Sequence, residues 1–301
     1  MHNIDSNTKI YGIIGYPLGH TFSPAMHNAA FKAEKINAVY LAFAVKNLIN
    51  LKTSLKKLKI QGLSITIPHK IKINRILDKI SPLAVQIGSV NTIYWNKEGL
   101  LEGHNTDGIG AIEAIKETRF NINKKNILII GTGGSARAIA MSLLYENPQK
   151  IGILSRNINN SEKLIKNLKL VKKETIFENF LYKDSKDAIG VRRKKTVLLE
   201  NKNQLKDYDL IINTTPIGMK GFEFENKSPI SGDFLFSNQI VFDIVYNPQE
   251  TPLIKICKKK KIKVIYGYKM LLYQAAHQFK LFTGKQAPLK IMEKSLKEQL
   301  K

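Results

Sequence analysis

The chain has 301 residues, 43% of them hydrophobic and 24% charged, a composition that fits a globular protein with room for two domains. One cysteine, Cys257, excludes an intrachain disulfide, and the absence of a basic-then-apolar leader or an apolar run of bilayer length argues for a cytoplasmic protein. The net charge of +24 raises nucleic acid as a partner, but the lysines are scattered, with no arginine-rich groove pattern, zinc spacing or helix-turn-helix spacing; they read as a solvated surface that helps to steer anionic ligands.

Lys9 to Gly15 reads as a first strand, followed by a loop from Tyr16 to Pro24. Ser23 before Pro24 is suited to cap a helix over Pro24 to Lys35. Val39 to Val45 is a second strand, and Leu48 to Leu58 a lysine-rich helical segment. In Gly62 to Lys70, Ile65 and Ile67 alternate with Ser64 and Thr66, which predicts one apolar face and one hydroxyl face. Pro68 stops that strand and can open a helix with Lys70 in its first turn, where the helix dipole disfavours a cation. Lys70 is therefore a candidate chemical group, against the plain alternative of one more surface lysine. Gly88 to Trp95 reads as a strand entered through a polar turn, and Leu101 to Gly108 leads into a helix over Ile109 to Glu117, for which Asp107 is an apt N-cap.

The segment from Asn126 to Ala138 carries the clearest local signal. A strand-like apolar run, Ile127 to Ile130, ends in Gly131-Thr132-Gly133-Gly134-Ser135-Ala136, and a helical pattern follows to Glu146. Gly131 permits a sharp turn, Gly133 permits close approach of a pyrophosphate, and Ala136 keeps helix and strand close; the N–H groups near Ser135 and Ala136 open the helix toward a phosphate. An ordinary tight βα turn has the same spacing. The next strand, Ile151 to Leu154, ends at Ser155-Arg156-Asn157, with no acidic residue before Glu162; an arginine at this place favours a 2′-phosphate, hence NADP over NAD. Lys166 to Asn203, including Arg192-Arg193-Lys194-Lys195, reads as charge-rich connections. Tyr208 to Asn213, Gln239 to Val245 and Ile262 to Ile265 are further buried strands, so strands and helices alternate as in a parallel, doubly wound sheet. Cys257 lies in a helical pattern as a core residue, and Lys269 to Phe282 is an amphipathic helix returning to the first domain. The histidines are dispersed and form no metal-ligand spacing.

Several of these pieces, in order and over nearly the whole chain, resemble the shikimate dehydrogenase family with its quinate/shikimate relatives. They are Gly15-Tyr16-Pro17 with His20-Thr21-Phe22-Ser23-Pro24, Thr66-Ile67-Pro68-His69-Lys70, Val90-Asn91-Thr92, Asn105-Thr106-Asp107-Gly108, the glycine turn, Asn213 to Met219, Asp243 to Pro248, and Met270 to Ala276. The resemblance implies a two-domain α/β fold: an N-terminal α/β substrate-binding and catalytic domain (1–107, completed by C-terminal helices 269–301) and a Rossmann-like, doubly wound parallel-sheet NADP domain (108–268). It implies NADP-dependent, reversible reduction of 3-dehydroshikimate to shikimate, or, as the alternative, quinate/shikimate dehydrogenation with NAD as well. Lys70 would be the proton-transfer and positioning group, oriented by Asp107. Thr21, Ser23, Thr66, Asn91, Tyr246 and Gln274 match substrate-binding positions. Gly131, Gly133, Gly134, Ser135, Ala136, Ser155, Arg156, Thr214, Gly267 and Met270 match the cofactor side. No metal is implied, the partner is a small-molecule substrate rather than nucleic acid or membrane, and a homodimer is the assembly allowed for. A domain cleft closing over the cofactor is the expected working arrangement. The chain departs from the family pattern at Thr21, in place of serine, and at Asn160, where a second phosphate-binding arginine often lies. In Tyr266-Gly267-Tyr268-Lys269-Met270, Lys269 replaces a glycine, and it either crowds the nicotinamide or points outward.

Overall fold

The computed structural model describes residues 4–18, 21–182 and 196–300, so His20 and the basic run at 192–195 lie outside the described residues. The chain divides into two compact units, Met1–Gly110 with Leu272–Lys301, and Ala111–Leu271.

The first unit is built on a six-stranded sheet of order β2-β1-β3-β5-β6-β4, from β1 (Lys9–Gly15), β2 (Ala38–Ala44), β3 (Ile60–Ile65), β4 (Lys79–Ile80), β5 (Thr92–Trp95) and β6 (Leu101–His104). β1 runs parallel to β2 and β3, whereas β5 is antiparallel to β3 and β6. The carboxyl ends of β1, β3 and β6 therefore share one edge of the sheet with the amino end of β5. Ile14, Leu63, Ile65, Ile93 and Leu101 from this sheet pack with Leu55 of α2 (Leu51–Lys57), Ile73, and Ala84 of α3 (Pro82–Ile87). Helix α1 (Ser23–Ala33) packs against α9 (Leu289–Gln299), where the Ser295 hydroxyl donates to Ala25 O at 3.0 Å.

Three local expectations are corrected here. Ser23 is the first residue of α1 rather than its cap; Phe22 holds the cap position, with no side-chain hydrogen bond. β3 ends at Ile65, so Ile67 lies beyond the alternating strand and is 73% exposed. Pro68 opens no α-helix: His69 N returns to Thr66 O in a turn, and a 3-10 helix begins only at Lys72. Lys70 thus stands in the turn, its carbonyl accepting from Val90 N at 2.8 Å. Sequence reading also passed over α3, whose start was marked: Ser81 caps it through Ala84 N, ahead of Pro82.

The second unit carries a seven-stranded, wholly parallel sheet of order β10-β9-β8-β7-β11-β12-β13, from β7 (Asn126–Ile130), β8 (Lys150–Ser155), β9 (Ile176–Tyr182), β10 (Thr196–Leu199), β11 (Leu210–Asn213), β12 (Ile240–Asp243) and β13 (Lys263–Tyr266). Ile127, Leu128, Ile129 and Ile130 are fully buried, as a central parallel strand requires. Strand order reverses at β7, flanked by β8 and β11, which makes its carboxyl end the topological switch point where ligands bind such sheets. Helices α5 (Gly134–Leu144), α6 (Ile158–Val171) and α7 (Pro252–Lys259) belong to this unit, and Cys257 on α7 is a core residue. The described part of 166–203 is more ordered than its charge suggested: it holds the end of α6 and the strands β9 and β10. The chain crosses between the units within α4 (Asp107–Glu117) and α8 (Gly267–Thr283).

Candidate active site

At the shared edge of the mixed sheet, the chain leaves β3 through Thr66 and Lys70, enters β5 through Asn91, and leaves β6 through Asn105, Thr106 and Asp107. Segments far apart in sequence thereby bring their side chains together. Lys70 Nζ donates to Asp107 Oδ2 at 2.5 Å, and Asn91 Nδ2 donates to Asp107 Oδ1 at 2.7 Å. The Asp107 side chain is 2% exposed while that of Lys70 is 20% exposed, so the ammonium is the member of the pair that a ligand can reach. The Asp107 backbone is held as well: Asn105 Oδ1 accepts from Asp107 N at 3.0 Å, and Asn105 Nδ2 donates to Ser89 O. Asp107 opens α4, but its two carboxylate oxygens go to Lys70 and Asn91.

The Asn91 amide is anchored in turn. Its Oδ1 accepts from Thr106 N and from Thr92 Oγ1, each at 2.8 Å, and its Nδ2 also donates to Thr106 Oγ1 at 3.0 Å. Beside Lys70, the buried His69 ring bonds Val45 O at 2.6 Å through Nε2; a carbonyl only accepts, so Nε2 carries the hydrogen. Thr21 Oγ1 accepts from Ser23 N at 3.4 Å, and the buried Ser23 side chain interacts with the Tyr40 phenol. Thr66 sits half-buried directly after β3, its methyl group against Gly15. Gln274 is half-buried on α8. In the second unit, Tyr246 follows β12, and burial raises its phenol pKa.

The glycine turn follows the switch strand β7. Gly131 has φ +112°, and a Cβ there would lie 2.6 Å from Thr214 Oγ1, so the position demands glycine for backbone reasons. Around Gly133 and Gly134 an added Cβ would meet no atom within 4 Å, which leaves the backbone of the turn open to a ligand in front of the α5 N-terminus. Ser135 is the second residue of α5, and Ala136 is fully buried. Arg156 is exposed directly after β8, beside Ser155, whose hydroxyl donates to Asn157 O at 2.9 Å. Two residues matched to the cofactor side also have structural work. The Thr214 hydroxyl donates to Ile130 O at 2.6 Å, and a Cβ on Gly267 would lie 2.4 Å from Ile244 O. Met270 is a buried residue of α8. Lys269 bonds Glu117 Oε1 at 2.6 Å and lies over the Tyr268 ring, which holds its ammonium at the carboxyl end of α4, the opposite end of that helix from Asp107.

The residues present therefore fit a dinucleotide: an open glycine turn, a helix N-terminus behind it, and a cation at the end of the adjacent strand. Comparison with known proteins points the same way. Relatives named shikimate dehydrogenase (NADP(+)) from Methanosphaera stadtmanae and Methanobrevibacter smithii are 43% and 40% identical, each match covering 99% of both chains. The chain belongs to the shikimate dehydrogenase family. Family models match in three places: the shikimate dehydrogenase substrate binding domain at residues 13–93, shikimate / quinate 5-dehydrogenase at 113–183, and the shikimate 5′-dehydrogenase C-terminal domain at 267–297. A crystal structure of a shikimate dehydrogenase in complex with NADP+ superposes with a TM-score of 0.86 at 38% identity, covering 99% of this chain and 98% of that one. The shikimate 5-dehydrogenase from Listeria monocytogenes, in complex with shikimate and NAD, gives 0.83 at 31% identity, covering 97% of each chain. Within the shikimate dehydrogenase matches, Lys70 and Asn91 fall in the first, Arg156 in the second, and Lys269 and Gln274 in the third. Among the described residues, no helix is long and apolar enough to cross a membrane, and no three His, Cys, Asp or Glu side chains are grouped to hold a metal ion.

Sequence reading missed the residues behind the pair, namely Thr92, Thr106, Ser64 and Gln278. Gln278 had one signal: it stands one helical turn beyond Gln274, on the same face of α8.

Proposed function

We propose that this chain catalyses the reversible, NADP-linked reduction of 3-dehydroshikimate to shikimate, a cytoplasmic step toward aromatic amino acids. The observation that carries the reading is the Lys70–Asp107 pair, 2.5 Å apart at the strand-end edge of the mixed sheet with Asn91 on the second carboxylate oxygen. Substrate binding is assigned to the unit holding Lys70, and dinucleotide binding to the unit holding Gly131. The relatives named for NADP support the cofactor assignment.

Reduction of a ketone builds negative charge on its oxygen, and a proton must reach that oxygen. Lys70 Nζ supplies a positive charge and a donor hydrogen at that atom; in the reverse direction it receives the hydroxyl proton. Asp107 holds the ammonium in place and offers an acceptor for a neighbouring hydroxyl. Thr21, Ser23, Thr66, Asn91 and Gln274, with Tyr246, bind the substrate's hydroxyls and carboxylate. A bound NADP supplies the hydride chemistry. The open turn at Gly133 and Gly134, with the N–H groups at Ser135 and Ala136, takes the pyrophosphate, and Arg156 takes the 2′-phosphate.

The test is a spectrophotometric assay with shikimate or quinate crossed with NADP or NAD. Activity confined to shikimate with NADP is the expected result. Comparable rates with quinate or NAD would move the chain to the broader quinate/shikimate reading, which the neutral Asn160 in the first turn of α6 favours. No activity from folded protein would remove the proposal.

A further inference from the structure

Behind the Lys70–Asp107 pair lies a buried line of hydrogen bonds that joins residues of β2, β3, α8, β5 and α4. Tyr40 Oη donates to Ser64 Oγ at 2.5 Å, and Ser64 Oγ donates to Gln278 Oε1 at 2.8 Å. Gln278 Nε2 donates to Thr92 Oγ1 at 3.1 Å and to Asn91 O at 3.3 Å. Thr92 Oγ1 donates to Asn91 Oδ1, and Asn91 Nδ2 to Asp107 Oδ1. Tyr40, Ser64, Thr92, Asn91, Asp107 and Gln278 are all at most 4% exposed.

The direction of this line is fixed by groups that cannot reverse. Asn91 O is a carbonyl and only accepts, so the Gln278 end facing it is Nε2 and the end facing Ser64 is Oε1. Ser64 must then donate to Gln278, and Tyr40 must donate to Ser64. At the other end Thr106 N–H only donates, so Asn91 turns Oδ1 toward it and Nδ2 toward Asp107. The Thr92 hydroxyl receives from Gln278 and has one hydrogen, which goes to Asn91. Every donor therefore points toward Asp107, and hydrogen bonds aligned in one sense polarise one another. Thr106 N–H and Thr92 O–H, each at 2.8 Å, hold the Asn91 amide plane, with the Thr106 hydroxyl at a longer 3.3 Å from the same oxygen; the Thr92 hydroxyl is oriented by Gln278.

We propose that Gln278 is a positioning residue for the reaction: acting through Thr92, it fixes the plane of the Asn91 amide and so the carboxylate face that Asp107 turns to Lys70. This inference rests on the dehydrogenase reading above. Gln278 touches neither Lys70 nor Asp107 through any bond in this line, and its effect travels through two intermediate side chains.

Thr92→Val removes the hydroxyl while keeping the shape, and Thr92→Ser restores it. With shikimate and NADP, Gln278→Leu and Thr92→Val should each lower kcat about tenfold, the scale of a small misplacement at a reacting pair, with little change in KM for shikimate. Thr92→Ser should recover kcat to within about threefold of the parent, and Thr92→Val/Gln278→Leu should be no worse than the poorer single variant, because both cut one line. An unimpaired Thr92→Val, a Thr92→Ser as poor as Thr92→Val, or additive losses in the double variant would overturn the proposal. If Gln278→Leu fails to fold, the Thr92 pair decides alone. If the parent enzyme is inactive, the failure belongs to the proposed function, and the side-chain amide resonance of Asn91 decides this inference. A displacement of that resonance in Thr92→Val that Thr92→Ser reverses supports the line, and an unmoved resonance removes it.

Discussion

The working end of the mixed sheet is made of side chains, and that of the parallel sheet is made of backbone. At the first, Lys70, Asn91 and Asp107 come from three separate connections, and each is held by bonds to its neighbours. At the second, one local turn exposes N–H groups at the head of α5, and Gly131 provides the conformation. The first end should therefore be sensitive to what a side chain carries, and the second to whether a Cβ is present at all. The units also differ in their buried titratable groups. In the first, His27 is fully buried and stacked on Tyr40 at 4.3 Å, and burial pushes its pKa down to about 3. In the second, burial pushes the Asp243 carboxyl up to about 6, although Thr251, Val245 and Asn213 all donate to it.

The largest effect expected on this contrast is from Lys70→Ala. It should lower kcat about a thousandfold, within the range that a positioned proton donor contributes, while NADP affinity, which the proposed function assigns to the other unit, stays near the parent value. Steady-state kinetics and a nucleotide titration check both halves, and near-normal turnover would refute the role of Lys70.

The buried groups come next, with opposite signs. Asp243 has a folded pKa raised from 3.8 to about 6, so its stability contribution is full below about pH 4 and is lost as pH rises to about 6. Asp243→Asn should then stabilise the protein at pH 8 by up to about 3 kcal/mol, with little effect near pH 4. His27 has a folded pKa depressed from 6.5 to about 3, so its contribution is full above about pH 6.5 and is lost as pH falls toward 3. Between pH 6.5 and 5 the parent should lose about 2 kcal/mol from this group, and His27→Phe, which keeps a ring on Tyr40, should remove that loss. Denaturant unfolding across pH measures both; equal pH slopes in parent and variants would contradict them.

A third effect sharpens the backbone side. Gly131→Ala should destabilise the protein by about 2 kcal/mol, since a side chain at positive φ would also meet Thr214. Gly133→Ala should leave the melting temperature unchanged and raise KM for NADP, because its Cβ would enter the open space to which the proposed function assigns the phosphates. Equal melting losses from the two would mean that the turn is only a structural feature. The smallest effect is expected at Arg156. Arg156→Ala should raise KM for NADP about tenfold, the scale of one lost charge-assisted contact, and leave KM for NAD alone. A parallel rise for both cofactors would remove its role as the 2′-phosphate reader.

Local signals of the nucleotide unit were legible because their causes are local. An unbroken apolar run predicts a strand buried on two faces, glycine marks a backbone that L-residues avoid, and Arg156 lies next to its strand end. β1 was legible with its bounds, and the alternation of strands and helices gave the parallel sheet. In the first unit, sequence reading singled out Lys70 from its place after Pro68 and reached the roles of Lys70, Asn91 and Asp107 through resemblance, but their arrangement was not readable from any one segment.

The sequence by itself determined the alternation of strands and helices, the glycine turn and the set of residue types available for chemistry, since hydrophobic period and backbone preference act over a few neighbouring residues; the two-unit organisation was reached through the family resemblance. Only the tertiary structure decided where those side chains point. It moved Ser23 off the cap position, put Ile67 outside and Lys70 in a turn, gave Lys269 to Glu117, and gave Thr92 its partner Gln278 from 186 residues away. The partner of a buried polar group is whichever complementary group the strand register and helix packing bring within about 3 Å, and no periodicity in the chain encodes that distance.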